Sequence, residues 1–351
     1  MSEATIRRTT YQHGQLAETI VKQEADQLEK EAPKTKVIPQ KVVISADGAF
    51  VPLTNGEWHE VKCMTIGEFE QQPTKKQAVK TKDISYFAGS YRIREFERYA
   101  LPELHKRGVE NASTIVAVND GSEWIQSFID YHCPQAERII DFPHALSYVA
   151  KAGKAIWGEE SDTFKQWFTR VSHQLKHKPP KETLGELQLL TQKAKNDEQQ
   201  AVIGEAFFYL NKRLSMIDYP HFRQLGYPIG SGSVESAHKL LVHSRLKQAG
   251  MRWDVNHLDP MLALRNLICN DRWSTGWQDI VTYQQTQRRQ RYCQRHQPPI
   301  SEPFTFEKAG LPPLSDPPST SLDEPTEPVT TPKPWKPADD HPWRHNIYPK
   351  K

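Results

Sequence analysis

The sequence has few cysteines, no long apolar run and no strong excess of charge, and each absence excludes a class of protein. The four cysteines are too widely spaced for a zinc knuckle or ribbon, so we expect them to be reduced: Cys63, Cys133, Cys269 and Cys293. No stretch approaches the ~18 apolar residues that a membrane span requires, and the N-terminus has no signal-peptide pattern. We therefore expect a cytoplasmic protein without a membrane partner.

The formal net charge of the 351-residue chain is only +3, so a surface for nucleic acid must be a local patch. Such a patch is present, because residues 238–295 contain ten Lys and Arg against four Asp. Its cations could contact phosphates, and its tryptophan could stack on a base: Arg245, Lys247, Arg252, Trp253, Arg288, Arg289 and Arg291. Two alternatives remain open, namely core packing for Trp253 and simple solvation for the arginine run.

Hydrophobic periodicity predicts an α/β core. Strands are predicted at 41–53, 57–66, 84–88, 113–118 and 137–140, the first two forming a hairpin at Asn55-Gly56. Helices follow the third, fourth and fifth strands, the first of them running from Tyr91 to about Lys106 and ending before Gly108.

The same patterns divide the chain into five regions. An N-terminal arm or helix (1–40), with helical character from Gln15 to Glu31, precedes the first part of the core (41–144). An all-helical insertion (145–226) separates it from the second part (227–297). The tail (298–351) holds 14 of the 26 prolines, which predicts disorder with polyproline II character.

Three acidic residues have the layout of a metal site. Asp47 and Asp120 each follow an apolar run, and Glu235 lies in the first turn of a helix that Ser233 can cap. Converging carboxylates would hold two Mg²⁺ (or Mn²⁺) ions roughly 3.5–4 Å apart for attack on a phosphodiester. Each residue also has a structural explanation, since Asp-Gly is a common turn and an acidic residue complements a helix N-terminus.

Four further residues are predicted to be adjacent to this site. Asp141 and His144 begin the helix after the fifth strand, where Asp141 could equally be only an N-cap and His144 could reach a phosphate or the metal site. His238 and Lys239 follow Glu235 by three and four positions, so a regular helix would place them on its face, where they could touch DNA. Solvation explains these two almost as well.

Five segments together resemble the ISKra family of insertion-sequence DDE transposases, over about Val42 to Trp273: SADGAFVPL, EWHEVK, VNDGSEWI, DFPHALSYV and PIGSGSVES with RLKQAGMRW. The resemblance implies an RNase H-like mixed sheet flanked by helices, an all-helical insertion before the Glu, and Mg²⁺-dependent cutting and joining of transposon ends in a prokaryotic cytoplasm. It also implies that Asp47, Asp120 and Glu235 are the catalytic, metal-binding triad. The Asp141-Phe-Pro-His144 segment resembles the Asp-x-x-His signature of Mutator-like transposases.

The resemblance implies partners as well. Transposon ends and target DNA would be bound by a homodimer or higher assembly, because two ends must be held together. Transposases of this kind are expected to carry an N-terminal DNA-binding region, yet 46 residues precede Asp47 and they contain no helix-turn-helix pattern, which predicts an N-terminally truncated chain. Two alternatives remain, an inactive DNA-binding remnant and an RNase H-like nuclease that cuts without joining.

Overall fold

The computed structural model describes residues 1–70 and 79–296, so the predicted Pro-rich tail lies outside the described residues. At its centre is a five-stranded mixed sheet in the order β3-β2-β1-β4-β5. The strands are β1 (Lys41–Pro52), β2 (Trp58–Phe69), β3 (Thr81–Gly89), β4 (Thr114–Asn119) and β5 (Glu137–Ile140). The β1-β2 and β2-β3 pairs are antiparallel, whereas β1-β4 and β4-β5 are parallel. The predicted strands, and the hairpin formed by the first two, are confirmed.

Helices flank the sheet. Their bounds are α1 (Glu3–Glu31), α2 (Ile93–Lys106), α3 (Glu123–His132), α4 (Phe142–Trp157), α5 (Asp162–His177), α6 (Pro180–Thr191), α7 (Asp197–Lys212), α8 (Tyr219–Gln224), α9 (Gly232–Ala237), α10 (Ser244–Leu246), α11 (Leu258–Cys269) and α12 (Trp273–Arg295). A π-helical segment, His238–His243, joins α9 to α10. Within the described ranges, no helix is long and apolar enough to cross a membrane.

Apolar side chains form separate cores on the two faces of the sheet. On one face, Val42 and Ile44 of β1 pack with α2 and α3. On the other face, Val43 of β1 joins Val116 and Val118 of β4 in a core shared with helices α4–α8, which we call the helical lobe. Farther along that face, Ala49, Val51 and Leu53 pack with α9–α11 in what we call the C-terminal core. Strand β1 therefore contributes to all three cores.

Helix α1 corrects the sequence-based expectation, because it begins at Glu3 rather than at Gln15 and packs on α11, α2 and α12. Its fully buried residues are all small: Gly14, Ala17 and Ala25. The two helices approach so closely that a Cβ at Gly14 would lie 2.4 Å from the carbonyl oxygen of Pro260. Small buried residues of this kind add little to the apolar periodicity by which a helix is predicted from sequence.

Candidate active site

A polar gap separates the helical lobe from the C-terminal core on one face of the sheet. Alternate residues of a strand share a face, so Val43, Ser45, Asp47 and Ala49 of β1 lie in one row. Val43 belongs to the core of the lobe and Ala49 to the C-terminal core. The two polar residues lie between them, and Thr65 of β2 is the cross-strand partner of Ser45. This row forms the floor of the candidate site.

Asp47 is half-buried in the gap and surrounded by charged groups. Burial raises the pKa of Asp47, the His238 imidazole and a hydrogen bond from Gly48 N–H lower it, and the carboxylate of Asp120 raises it again. The net effect is a pKa above the ordinary value. Its Oδ2 lies 3.7 Å from Nδ1 of His238, and Oδ1 accepts from Gly48 N at 2.7 Å. Asp47 and Asp120 are therefore brought within electrostatic reach of each other, as their strand positions predicted.

Asp120 directly follows β4 and is held in a tight turn. Its Oδ1 accepts a hydrogen bond from Ser122 N at 2.9 Å, while the other carboxylate oxygen has no such partner within the described residues. Asn119, immediately before it, reaches across the sheet and accepts from Ala46 N at 2.5 Å. The carboxyl end of β4 is thereby locked to β1 just where the two candidate carboxylates lie.

The helical lobe braces the Asp120-Gly121 turn from outside the sheet. The Tyr209 hydroxyl of α7 donates to the carbonyl of Asp120, and Nη2 of Arg213 donates to the carbonyl of Gly121 at 2.9 Å. The Arg213 guanidinium lies 4.0 Å from the centre of the Tyr209 ring, and the Tyr148 ring stacks on Tyr209 with the ring centres 3.8 Å apart. The lobe thus fixes the position of Asp120 through two neighbouring carbonyls.

Asp141 joins two segments next to the gap. It is the N-cap of α4, accepting from His144 N at 3.0 Å, and it also accepts from Ser231 N at 2.6 Å. The capping role left open by the sequence is therefore observed, and it is combined with a bond to the loop that precedes α9. His144 packs edge-on against the rings of Tyr148 and Tyr209. Its charge also lowers the pKa of Asp47, as a smaller influence than burial, so it lies near the gap.

Glu235 is placed on α9, which packs on β1 and β2, but its side chain is turned to solvent. The carboxylate is 71% exposed and pairs with Nζ of Lys239 at 2.8 Å. This hydrogen bond is the main cause that lowers the pKa of Glu235. The helix itself is anchored by a 3.0 Å hydrogen bond between the hydroxyls of Ser233 and Thr65. The prediction that Ser233 caps the helix is wrong, because Ser231 is the N-cap and the Ser233 hydroxyl bonds to β2 instead.

His238 and Lys239 do not share one face, contrary to the expectation for a regular helix. His238 is buried against β1, where its Nε2 lies 3.4 Å from the carbonyl oxygen of Asp47, whereas Lys239 is exposed. The π-helical segment begins at His238, and such wide turns change the angular spacing of side chains. His238 consequently contacts Asp47, while Lys239 faces solvent with Glu235.

The first predicted DNA-binding group lies where the chain leaves α10. Trp253 is half-buried against the C-terminal core, and its backbone forms an isolated bridge with Leu53 beyond β1. Core packing is thus the observed environment of Trp253. The guanidinium of Arg245 lies 5.4 Å from the Trp253 ring centre, and Lys247 and Arg252 are exposed. The second group, Arg288, Arg289 and Arg291, lies on the exposed outer half of α12.

The residues in the gap fit a divalent cation only in part. Asp47 and Asp120 offer carboxylate oxygens, the ligands that Mg²⁺ prefers, and the buried Ser45 Oγ has no hydrogen-bond partner among the described residues. Across residues 1–70 and 79–296, no three His, Cys, Asp or Glu side chains are grouped so that they could hold a metal ion. Glu235 could join the two aspartates only by leaving Lys239.

Several residues of the site were not predicted from the sequence. Ser45 and Thr65 interrupt apolar strands, which is a weak signal that could have marked the gap. Tyr148, Tyr209 and Arg213 carry no such signal, because their contacts depend on how the helical lobe docks on the sheet. No protein-family model and no curated protein matches this chain. The family resemblance, the function it implies and the roles of the site residues stay predictions.

Proposed function

We propose that this protein is the catalytic core of a DNA transposase, which cuts and joins DNA strands with Mg²⁺ or Mn²⁺, and that its sheet is RNase H-like. The observation that carries the proposal is the placement of Asp47 and Asp120 in one polar gap, on adjacent parallel strands and in electrostatic contact. The helix that carries Glu235 packs on β1, the strand that carries Asp47, and on its antiparallel neighbour β2. A nucleotidyl transferase of this type needs such a set of carboxylates.

The carboxylates of the chain would hold the ions and align the DNA backbone. Asp47 and Asp120 supply oxygens from the floor of the gap, and Glu235 supplies a third carboxylate once it exchanges Lys239 for a cation. When bound, two ions would lower the pKa of the attacking oxygen and stabilise the leaving oxygen, so a separate side-chain base is not required. His238 keeps Asp47 in place from its buried position, and the brace from Tyr209 does the same for Asp120.

The gap also suits a phosphodiester because cations surround it. Arg213 lies beside the Asp120 turn, and Lys239 lies at the entrance, where its release from Glu235 would free a positive charge for a phosphate. The exposed arginines of α12 offer a further contact for the DNA backbone. We propose that a homodimer or larger assembly holds two transposon ends.

The test is nicking and joining of end-labelled duplex DNA carrying the ends of the element that encodes the chain, with Mg²⁺ or Mn²⁺ and a plasmid target. We expect Asp47→Asn, Asp120→Asn and Glu235→Gln each to lower the rate by at least about a hundredfold, since loss of outer-shell partners alone costs roughly 10–100-fold. Glu159→Gln is a matched control, because Glu159 is 69% exposed and also pairs with a lysine.

The outcomes separate the alternatives. Metal-dependent nicking without joined products would identify a nuclease, and DNA binding without nicking in either metal would identify an inactive remnant. Equal activity of Glu159→Gln and Glu235→Gln would remove Glu235 from the site while leaving the two aspartates in it.

A further inference from the structure

The hairpin of β1 and β2 extends beyond the rest of the sheet. Strand β1 pairs with β4 only from Lys41 to Ile44, and β2 pairs with β3 only as far as Lys62. From Gly48 to Val61 the two strands therefore form a ribbon that has no further strand on either side among the described residues. Because Asp47 lies at the base of this ribbon, a strand of DNA in the gap would run close to it.

The two faces of the ribbon differ. Ala49, Val51 and Val61 are buried in the C-terminal core. On the opposite face, Phe50 is 52% exposed and Trp58 is 59% exposed. The cross-strand partners are Phe50 with Glu60 and Pro52 with Trp58, so the two rings occupy diagonal positions on one face, typically about 7–8 Å apart. Single exposed apolar residues are common, but two large rings on the open face of a ribbon indicate a binding surface.

A cation adjoins the Trp58 ring. The ammonium of Lys247 lies 5.4 Å from the centre of the Trp58 ring. The segment that carries Lys247 is bonded to the end of the ribbon, because Trp253 N donates to Pro52 O and Thr54 N donates to Trp253 O. Residues 244–253 contain Arg245, Lys247 and Arg252 and no acidic residue.

We propose that Phe50, Trp58 and Lys247 form a platform that binds an unpaired stretch of DNA, with its bases on the two rings and its phosphates on the cations. Exposed aromatic rings beside cations are suited to single strands, since every base offers a face for stacking whereas a duplex offers only edges and phosphates. The inference rests on the proposed function in that the DNA next to a cut must become locally unpaired. The binding itself needs neither metal nor catalysis.

The experiment measures fluorescence anisotropy of a fluorescein-labelled oligothymidylate, and of a duplex of equal length, with the full chain in EDTA. We expect the Phe50→Ala/Trp58→Ala variant to bind the single strand at least about tenfold more weakly, because one stacked base typically accounts for that factor or more. Duplex binding should change far less. The control is Phe208→Ala, since Phe208 is 71% exposed on α7, away from the ribbon.

Further measurements make the result decisive. Lys247→Gln should reduce the slope of log affinity against log salt by about 0.7 for the single strand. Trp58→Phe should retain most of the binding, which separates loss of stacking from loss of folding. Unchanged single-strand binding in the double alanine variant, or equal weakening for duplex and single strand, would overturn the platform, as would ring-dependent binding to phosphatidylserine vesicles but not to DNA.

Binding of single strands and metal-dependent nicking are separate measurements, so together they distinguish this inference from the proposed function. Asp47→Asn should lose nicking and keep the ring-dependent binding. Ring-dependent binding of single strands without any nicking by the wild-type chain would support the platform and reject the transposase. Metal-dependent nicking with ring-independent binding would do the reverse.

Discussion

Gly121, between Asp120 and helix α3, should be the glycine of the site least tolerant of a side chain. Its φ is +78°, a region that costs an L-residue about 1–2 kcal/mol. A Cβ would also lie 2.7 Å from both Arg213 Nε and Ile140 Cδ1, and 3.2 Å from the Tyr209 hydroxyl. Overpacking of this kind typically costs about 1–3 kcal/mol. We therefore expect Gly121→Ala to lower the free energy of unfolding by about 2–5 kcal/mol.

Gly250→Ala provides the matched control for the backbone contribution. Gly250 has a φ of +75°, but no atom lies within 4 Å of the position that a Cβ would take. Only the backbone cost of about 1–2 kcal/mol should apply there. Urea denaturation followed by circular dichroism would measure both variants. Equal losses would refute the packing contribution and with it the close contact between the helical lobe and the Asp120 turn.

A double-mutant cycle would assign the contribution to the brace. In an Arg213→Ala background, one of the two side chains nearest to the new methyl group is removed, so Gly121→Ala should cost less than in the wild type. Coupling between residues in direct contact is typically about 0.5–3 kcal/mol. Additive losses would mean that Arg213 does not press on the turn.

Two further predictions concern stability. Asp47→Asn should raise the melting temperature at pH 7, because burial raises the pKa of Asp47 in the folded state and its ionised form therefore opposes folding. Between the pKa of Asp47 in the unfolded state and its higher pKa in the folded state, the folded protein binds more protons, so wild-type stability falls as pH rises through that window. The difference between the variants should vanish below the ordinary Asp pKa. A pH-independent difference would contradict this. Gly14→Ala should lower the melting temperature, because the new Cβ would lie 2.4 Å from the Pro260 carbonyl oxygen. This loss is expected although alanine is more favourable than glycine in a helix by about 1 kcal/mol. A rise in the melting temperature would contradict the close packing of α1 on α11.

Local patterns predicted the sheet well because each strand contains an apolar or alternating run that is rich in β-branched residues. Strand β5 was predicted at its observed bounds, and Gly108, with a φ of +63°, lies just past the end of α2 as expected. The start of α1 was missed because small residues, not large apolar ones, make its contact. The proximity of Asp47 and Asp120 followed from the parallel pairing of β1 with β4, although Asp47 lies within β1 and only Asp120 lies at a strand end.

The side-chain environment of the site could not be predicted in the same way. The spacing of four residues is consistent with the pairing of Lys239 with Glu235. No local pattern predicted that His238 turns toward Asp47, because a π-helical turn is rare and has no clear composition. The brace by Tyr209 and Arg213 joins residues about ninety positions apart from Asp120 and Gly121. Such contacts depend on the docking of whole elements and not on local periodicity.

The strongest reason to regard the gap as functional is that several local costs to stability occur together in it. Asp47 is buried enough for its pKa to rise, the Ser45 hydroxyl is buried without a hydrogen bond among the described residues, and Gly121 holds a left-handed backbone. A turn whose only role is structural can place its Asp in water and avoid these costs. Proteins retain such costs mainly where a site needs a fixed, partly dry arrangement of polar groups. Asp120-Gly121 alone is explained as a turn, whereas Asp47-Gly48 lies within β1, and the accumulation of costs around Asp47 and Asp120 supports a site that binds a cation.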